Sequence, residues 1–187
     1  IITNGSQQAL DILSAVLIDE GDKILIEKPS YLAALQVFHL YNPKINSVTL
    51  NHHGIDLQEL TAYLEQKPKF FYAIPTFQNP TGLTYDNETR IALANLLKKT
   101  NTIFIEDNPY GDLRFNDETF LPIYPLLKDQ TILLGTFSKI VSPGMRIGWI
   151  ACSNSYLKQK LLAYKQIVDL HTNIFGQMVL HLSLIHI

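Results

Sequence analysis

Cysteine is almost missing from this chain: Cys152 is the only one among 187 residues. That excludes an internal disulfide framework and fits a reducing compartment such as the cytoplasm. In the apolar stretch "GWIAC", its thiol reads as a buried structural group rather than a nucleophile. An excess of charge of one sign is lacking too. Fifteen Lys+Arg against 17 Asp+Glu leave a net charge of -2, without the basic surplus of a general nucleic-acid binder. No apolar run reaches the roughly 18 residues that span a bilayer. The histidines (His39, His52, His53, His171, His181 and His186) show no H-E-x-x-H or comparable ligand spacing, so no metal site is expected. His52-His53 precedes Gly54 in a polar turn and reads as solvated loop. No G-x-G-x-x-G follows a strand and no G-x-x-x-x-G-K occurs, so dinucleotide and P-loop readings lack support. The carboxylates of "DEGD" (Asp19 to Asp22) read as a solvated turn ending a helix. An initiator methionine is missing as well. The chain opens at "IITNGSQQ" and stops at "LHLSLIHI", so it reads as an internal fragment, and the absence of a targeting signal says little.

What is present is ordinary globular composition, 47% hydrophobic and 17% charged. Short apolar runs read as strands: "KILIE" (Lys23 to Glu27), "INSVTL" (Ile45 to Leu50), "KFFYAIP" (Lys69 to Pro75), "TIFIED" (Thr102 to Asp107), "TILLGTF" (Thr131 to Phe137) and "RIGWIAC" (Arg146 to Cys152). Most are continuous rather than alternating, as strands covered on both faces should be. Helical patterns lie between them. "SQQALDILSAVLI" opens on Ser6 as a cap, and "DNETRIALANLLKK" starts at Asp86 and ends in lysines. Further helices are expected at Tyr31 to Leu40, Leu57 to Leu64 and Tyr156 to Val168. This alternation predicts one α/β domain, a three-layer α/β/α arrangement with a mostly parallel sheet.

In an open α/β sheet, ligands gather at the carboxyl ends of the strands. The unusual polar residues fall there. "TFQNPTG" follows one strand, "EDNPYGD" and "TFSK" end two others, and "NGSQQ" opens the first helix. Separate segments thus deliver Ser6, Asn79, Asp107, Tyr110 and Lys139 to one edge. Gly5 permits a close turn that leaves helix N–H groups beside Ser6 and Gln7 facing outward, which suits an anion. Thr136, Ser138 and Arg146 could complete a phosphate cradle. Lys139, flanked by Phe137 and Ile140, is a candidate amine nucleophile if it lies in an apolar pocket near another cation. Asp107 ends an apolar strand, where a carboxylate is costly without a cationic partner. Each feature alone also has a plainer reading: a helix cap, an arginine bonding loop carbonyls, a solvated lysine, and a turn aspartate before Asn108-Pro109.

Taken in order, "TNGSQQALDIL", "EKPSYLAALQVF", "QNPTG", "EDNPYGDLRF" and "GTFSKIVSPGMRIGW" resemble the fold-type I pyridoxal-phosphate aminotransferases of class I/II. The flavour is that of the α-aminoadipate and kynurenine aminotransferase subgroup, shared by the aminotransferase-like effector domains of winged-helix transcription regulators. The resemblance implies pyridoxal 5'-phosphate as cofactor and transfer of an amino group between an amino acid and a 2-oxo acid. It implies that Lys139 carries the cofactor as an aldimine and then moves the substrate Cα proton. By the same resemblance Asp107 pairs with the pyridinium nitrogen. Asn79 and Tyr110 bond the phenolic oxygen, Asn79 also reaching the substrate carboxylate, and Tyr31 stacks on the ring. Ser6, Gln7, Thr136, Ser138 and Arg146 hold the phosphate. It further implies a cis Asn79-Pro80 bond, and Gly144 as a position where a side chain would obstruct the turn to Arg146. A homodimer is expected, with no nucleic acid bound through this domain and no membrane. Residues 1 to 187 would form the large cofactor domain, with helix from about 155 leading towards a small domain outside the chain, which supplies the arginine for the substrate carboxylate. The fragment alone is therefore expected to be inactive.

Overall fold

Short apolar runs bounded by polar turns give eight strands in the computed structural model, which describes residues 1–113 and 120–186. Arg114 and Phe115 of the "EDNPYGDLRF" segment, and the terminal Ile187, lie outside the described residues. The strands are β1 (Ile2–Thr3), β2 (Lys23–Lys28), β3 (Lys44–Asn51), β4 (Gly54–Ile55), β5 (Phe70–Ala73), β6 (Ile103–Asp107), β7 (Thr131–Thr136) and β8 (Gly148–Cys152). The helices are α1 (Gly5–Leu17), α2 (Leu32–His39), α3 (Leu57–Leu64), α4 (Asn87–Leu97), α5 (Tyr124–Leu127), α6 (Ser155–Asp169) and α7 (Ile174–His186).

The sheet order is β1-β8-β7-β6-β5-β2-β3-β4. Its centre is parallel, from β7 through β6, β5 and β2 to β3. The flanks are antiparallel: β8 against β7, β1 against β8, and β4 against β3. The turn between β7 and β8 contains no crossover helix, so β8 must return antiparallel. The two-residue strands β1 and β4 are too short to leave a periodic signature, and the sequence reading has neither.

Side chains of successive strand residues point to opposite faces, and the core divides accordingly. Ile24, Ile26, Phe70, Tyr72, Ile74 and Ile105 pack with α1, α2 and α6. Leu25, Phe71, Ala73 and Phe104 pack on the other face with α3, α4 and α5. This is the three-layer α/β/α fold expected from the alternation of elements. Asp86 caps α4 as expected, accepting from the Thr89 N–H at 2.7 Å. The Ser6 cap is corrected. The residue preceding α1 is Asn4, which makes no side-chain cap, and Ser6 lies inside the first turn. Asn4 instead spends its amide on Asp169 Oδ2 of α6, at 2.6 Å. Among the described residues, the first N–H groups of α1 are thereby left without a side-chain cap.

Two expected strands are shorter than predicted. β5 stops at Ala73, before Pro75, and β8 starts only at Gly148, leaving Arg146 outside it in the left-handed region, at φ 52°. The tail beyond residue 155 is two helices, broken at Leu170. In α7, Phe175, Met178 and Leu182 are exposed, whereas α1 buries Leu10, Ile12 and Leu13. No helix among the described residues is long and apolar enough to cross a membrane.

Candidate functional site

The carboxyl ends of β2, β5, β6 and β7 open onto a cavity of about 380 Å³. Its walls include all ten residues singled out above: Ser6, Gln7, Tyr31, Asn79, Asp107, Tyr110, Thr136, Ser138, Lys139 and Arg146. Ile74 and Pro109, which the sequence reading does not pick out, complete the lining. A larger cleft of about 730 Å³ lies at the opposite edge of the sheet, beside Lys69 and Thr102. It gathers none of these candidates, and Lys69 is already held by Asp19 and Asp22 at 2.9 and 2.6 Å.

One wall is built for an anion. The uncapped start of α1 presents Ser6 and Gln7. Gly5 has φ +78°, and a Cβ there would stand 2.4 Å from Arg146 Nη2, so only glycine admits the guanidinium. Arg146 Nη1 donates to Ser138 Oγ at 3.3 Å, and Nη2 to the Asn4 carbonyl at 3.4 Å. Thr136 Oγ1 lies 3.0 Å from Ser138 Oγ and accepts from the Ser138 N–H at 3.2 Å. Two hydroxyls, a guanidinium and a helix start thus converge. Gly148 lets β8 come this close to α1, since a Cβ there would lie 2.7 Å from the Gly5 backbone. The expectation for Gly144 is corrected: a Cβ there meets nothing nearer than Ser142 Oγ at 3.9 Å.

The floor is a carboxylate. Asp107, 2% exposed, accepts from the Tyr72 hydroxyl through Oδ2 at 2.7 Å, while Oδ1 has no hydrogen-bond partner among the described residues. No cation pairs with it among the described residues. Burial pushes its carboxyl up to about 6, against the opposing pull of the Tyr72 hydrogen bond. A buried acceptor left in this state wants a positively charged N–H donor. Tyr72 is the residue that sequence reasoning missed. A signal existed, because a tyrosine in a strand buried on both faces needs a partner for its hydroxyl.

The opposite side carries the amine. Lys139 follows β7 and is exposed, flanked by half-buried Phe137 and Ile140. Its Nζ lies 5.7 Å from the centre of the Tyr110 ring. Tyr31 stands directly before α2 and is half-buried. Burial first, then Asp107, pushes its phenol up. Asn79 stands in the turn after β5, and the Asn79-Pro80 bond is cis, as is the unforeseen Lys28-Pro29 bond.

The remaining candidates sit elsewhere. His53 is exposed and bonds Asp86 at 3.0 Å. Cys152 is half-buried rather than buried, and burial pushes its thiol up.

Comparisons with known proteins agree with this geometry. A profile of the family described as aminotransferase class I and II matches residues 1–178. The chain is 45% identical to aromatic-amino-acid aminotransferase 1 of Thermococcus litoralis over 95% of its own length and 44% of the relative's. The crystal structure of LysN, the α-aminoadipate aminotransferase of Thermus thermophilus, complexed with N-(5'-phosphopyridoxyl)-L-leucine, superposes with a TM-score of 0.92 at 40% identity. That match covers 98% of this chain and 48% of LysN. The chain is also 37% identical to the HTH-type transcriptional regulator YisV of Bacillus subtilis, over 81% of its length and 32% of YisV. It thus spans about half the length, or less, of these relatives. A profile match across almost the whole chain, joined to this cavity, places it in the class I and II aminotransferase family.

Proposed function

We propose that this chain forms the large pyridoxal 5'-phosphate-binding domain of an aminotransferase, one that moves an amino group between an amino acid and a 2-oxo acid. The observation that carries this reading is the unpartnered Asp107 Oδ1, buried in the same cavity as the Lys139 amine and the α1 anion cradle. The residues fit the cofactor's parts. Ser6, Gln7, Thr136, Ser138 and Arg146 suit its phosphate dianion. Asp107 suits a protonated ring nitrogen, Tyr31 a ring face, and Asn79 with Tyr110 a phenolic oxygen. When bound, pyridoxal phosphate supplies an aldehyde that condenses with primary amines and a ring that withdraws electrons from the substrate Cα.

The chain's own groups do the rest. Lys139 Nζ would hold the cofactor and, as a free amine, would accept and return the proton at the substrate Cα. Asp107 would hold a proton on the ring nitrogen and so keep the ring electron-poor. No cation among the described residues competes for Asp107, and a prior salt bridge would weaken that role. Arg146 and the α1 start would anchor the phosphate. Similarity to the Thermococcus and Thermus enzymes supports an aromatic or 2-aminoadipate-like amino acid as donor. A homodimer in the cytoplasm completes the reading.

The likeness to YisV supports a second reading, an effector domain that holds the cofactor inside a transcription regulator. One experiment addresses both. The full-length protein is loaded with pyridoxal phosphate and reduced with borohydride, and the labelled residue is located by mass spectrometry. Label on Lys139, lost in Lys139→Ala, is expected; label on another lysine overturns the assignment. Conversion of 2-oxo acid to amino acid over many turnovers then favours the enzyme, and cofactor binding without turnover favours the regulator.

A further inference from the structure

The turn that carries Asn79 is gripped from behind, by residues that do not line the cavity. Glu27 stands near the end of β2 and is 1% exposed. Its Oε2 accepts from the Ile74 N–H and from Gln78 Nε2, each at 3.1 Å. Its Oε1 accepts from the Tyr85 hydroxyl at 2.6 Å. Gln78 is equally buried. Its Nε2 also donates to the Pro29 carbonyl at 2.9 Å, and its Oε1 accepts from both the Thr81 N–H and the Thr81 hydroxyl, at 3.0 and 2.7 Å. An amide group has two donor hydrogens and two acceptor lone pairs, so all four capacities of Gln78 are used.

That single amide joins three segments. It ties the end of β2 through Glu27, the approach to Tyr31 through Pro29, and the turn after Asn79 through Thr81. A carboxylate is an expensive way to fill space in this interior, where an apolar side chain would pack without desolvating a charge. The cost is visible. Burial pushes Glu27 up to about 7, and the nearby Asp107 adds repulsion, against hydrogen bonds from Tyr85, Gln78 and Ile74. What the carboxylate provides is an acceptor for three donors at once, in one fixed place.

We propose that Glu27 and Gln78 are positioning residues, which set where Asn79 and Tyr31 stand in the cavity without touching its contents. The inference rests on the pyridoxal phosphate reading, in which Asn79 bonds the cofactor's phenolic oxygen. Removing the grip then weakens that bond while leaving the residue in place.

The test uses the full-length protein loaded with pyridoxal phosphate. The pH midpoint of its visible absorption band is recorded for wild type, Asn79→Ala, Gln78→Ala and the double variant. Gln78→Ala is expected to move the midpoint in the same direction as Asn79→Ala, by about half a unit to one unit, the size of one hydrogen bond. The double variant should move no further than Asn79→Ala alone, because both changes remove one interaction. Glu27→Gln keeps the volume and should shift the midpoint the same way by less. It decides the matter by the same criterion if Gln78→Ala fails to fold. A wild-type midpoint in variants whose thermal stability has fallen overturns the inference and leaves Glu27 and Gln78 as packing. So does a double variant whose shift is the sum of the two. Absence of any visible band in wild type overturns the cofactor reading itself, and this inference with it.

Discussion

Glu106 and Asp107 are neighbours in one strand, equally buried at 2% exposure, and opposite in circumstance. Because β6 alternates its faces, Glu106 turns towards α5, where its two oxygens accept the N–H groups of Ile123 at 3.1 Å and Tyr124 at 2.7 Å. Asp107 turns towards α1 and the cavity, with one oxygen on Tyr72 and the other on no partner among the described residues. Burial pushes both carboxyls up. The difference is what each offers a newcomer. Glu106 is fully occupied in anchoring a helix start, whereas Asp107 retains an unspent acceptor where a ligand can reach it. Burial of an acid therefore does not mark a functional site; burial with unused hydrogen-bonding capacity facing a cavity does.

The largest effect that would break this contrast is on cofactor retention. Asp107→Ala removes the counter-charge for a protonated ring nitrogen at a buried position, and breaking such a pair weakens binding by about 100-fold or more. Fluorescence titration with pyridoxal phosphate measures it. Equal affinity in Asp107→Ala and wild type would mean that the free oxygen has no ligand to meet. The next effect falls on stability alone. Glu106→Ala strips the acceptor from two backbone donors, at a cost of about 2–4 kcal/mol. Denaturant unfolding of the full-length protein reads that loss, and the visible band of the folded, loaded variant should match wild type. A changed band would place Glu106 in the cofactor's surroundings and erase the distinction between the two faces.

How much of this is legible without coordinates depends on how far apart the partners lie in sequence. Most of the ten cavity residues announce themselves because they sit in a local pattern beside an apolar run, as Asp107 does after "TIFIE" and Lys139 after "TILLGTFS", whereas Tyr31 comes only from the resemblance. Tyr72 and Asp107 are 35 residues apart, and Glu27 and Tyr85 are 58 apart; nothing local tells one of the other. Their pairing is a consequence of strand order, β2 beside β5 and β5 beside β6, which the alternation of elements leaves undetermined. Ser6 misleads for a related reason. A serine at a helix start reads as a cap, but Asn4 takes the capping position and then spends its side chain on Asp169, 165 residues away. Gly144 misleads because a glycine in a turn suggests a steric demand, and the demand falls instead on Gly5 and Gly148, where backbone and guanidinium approach closely.

The smallest effect, and the one that sharpens the contrast most, is in the pH dependence of stability. Asp107 has a carboxyl raised from 3.8 to about 6 in the folded chain. The folded state therefore keeps a proton that the unfolded state releases, and its contribution to stability is full below about pH 4 and lost as pH rises through about 6. Glu27 and Glu106, also raised by burial, slope the same way. Asp22, Asp86 and Asp169, held low by hydrogen bonds from Lys69, Thr89 and Lys165, slope the opposite way, losing their contribution as pH falls below the ordinary carboxylate value. Denaturant unfolding of cofactor-free protein between pH 4 and pH 7 should thus show stability falling with pH across that window, by less in Asp107→Asn. A bound ring nitrogen would pull Asp107 back down and cancel its share of the slope, while Glu106, which faces the other way, keeps its own. In wild type the slope should flatten on loading; in Asp107→Asn, loading should flatten it by less. A loaded wild type with its slope unchanged would mean that whatever fills the cavity brings no positive charge to Asp107.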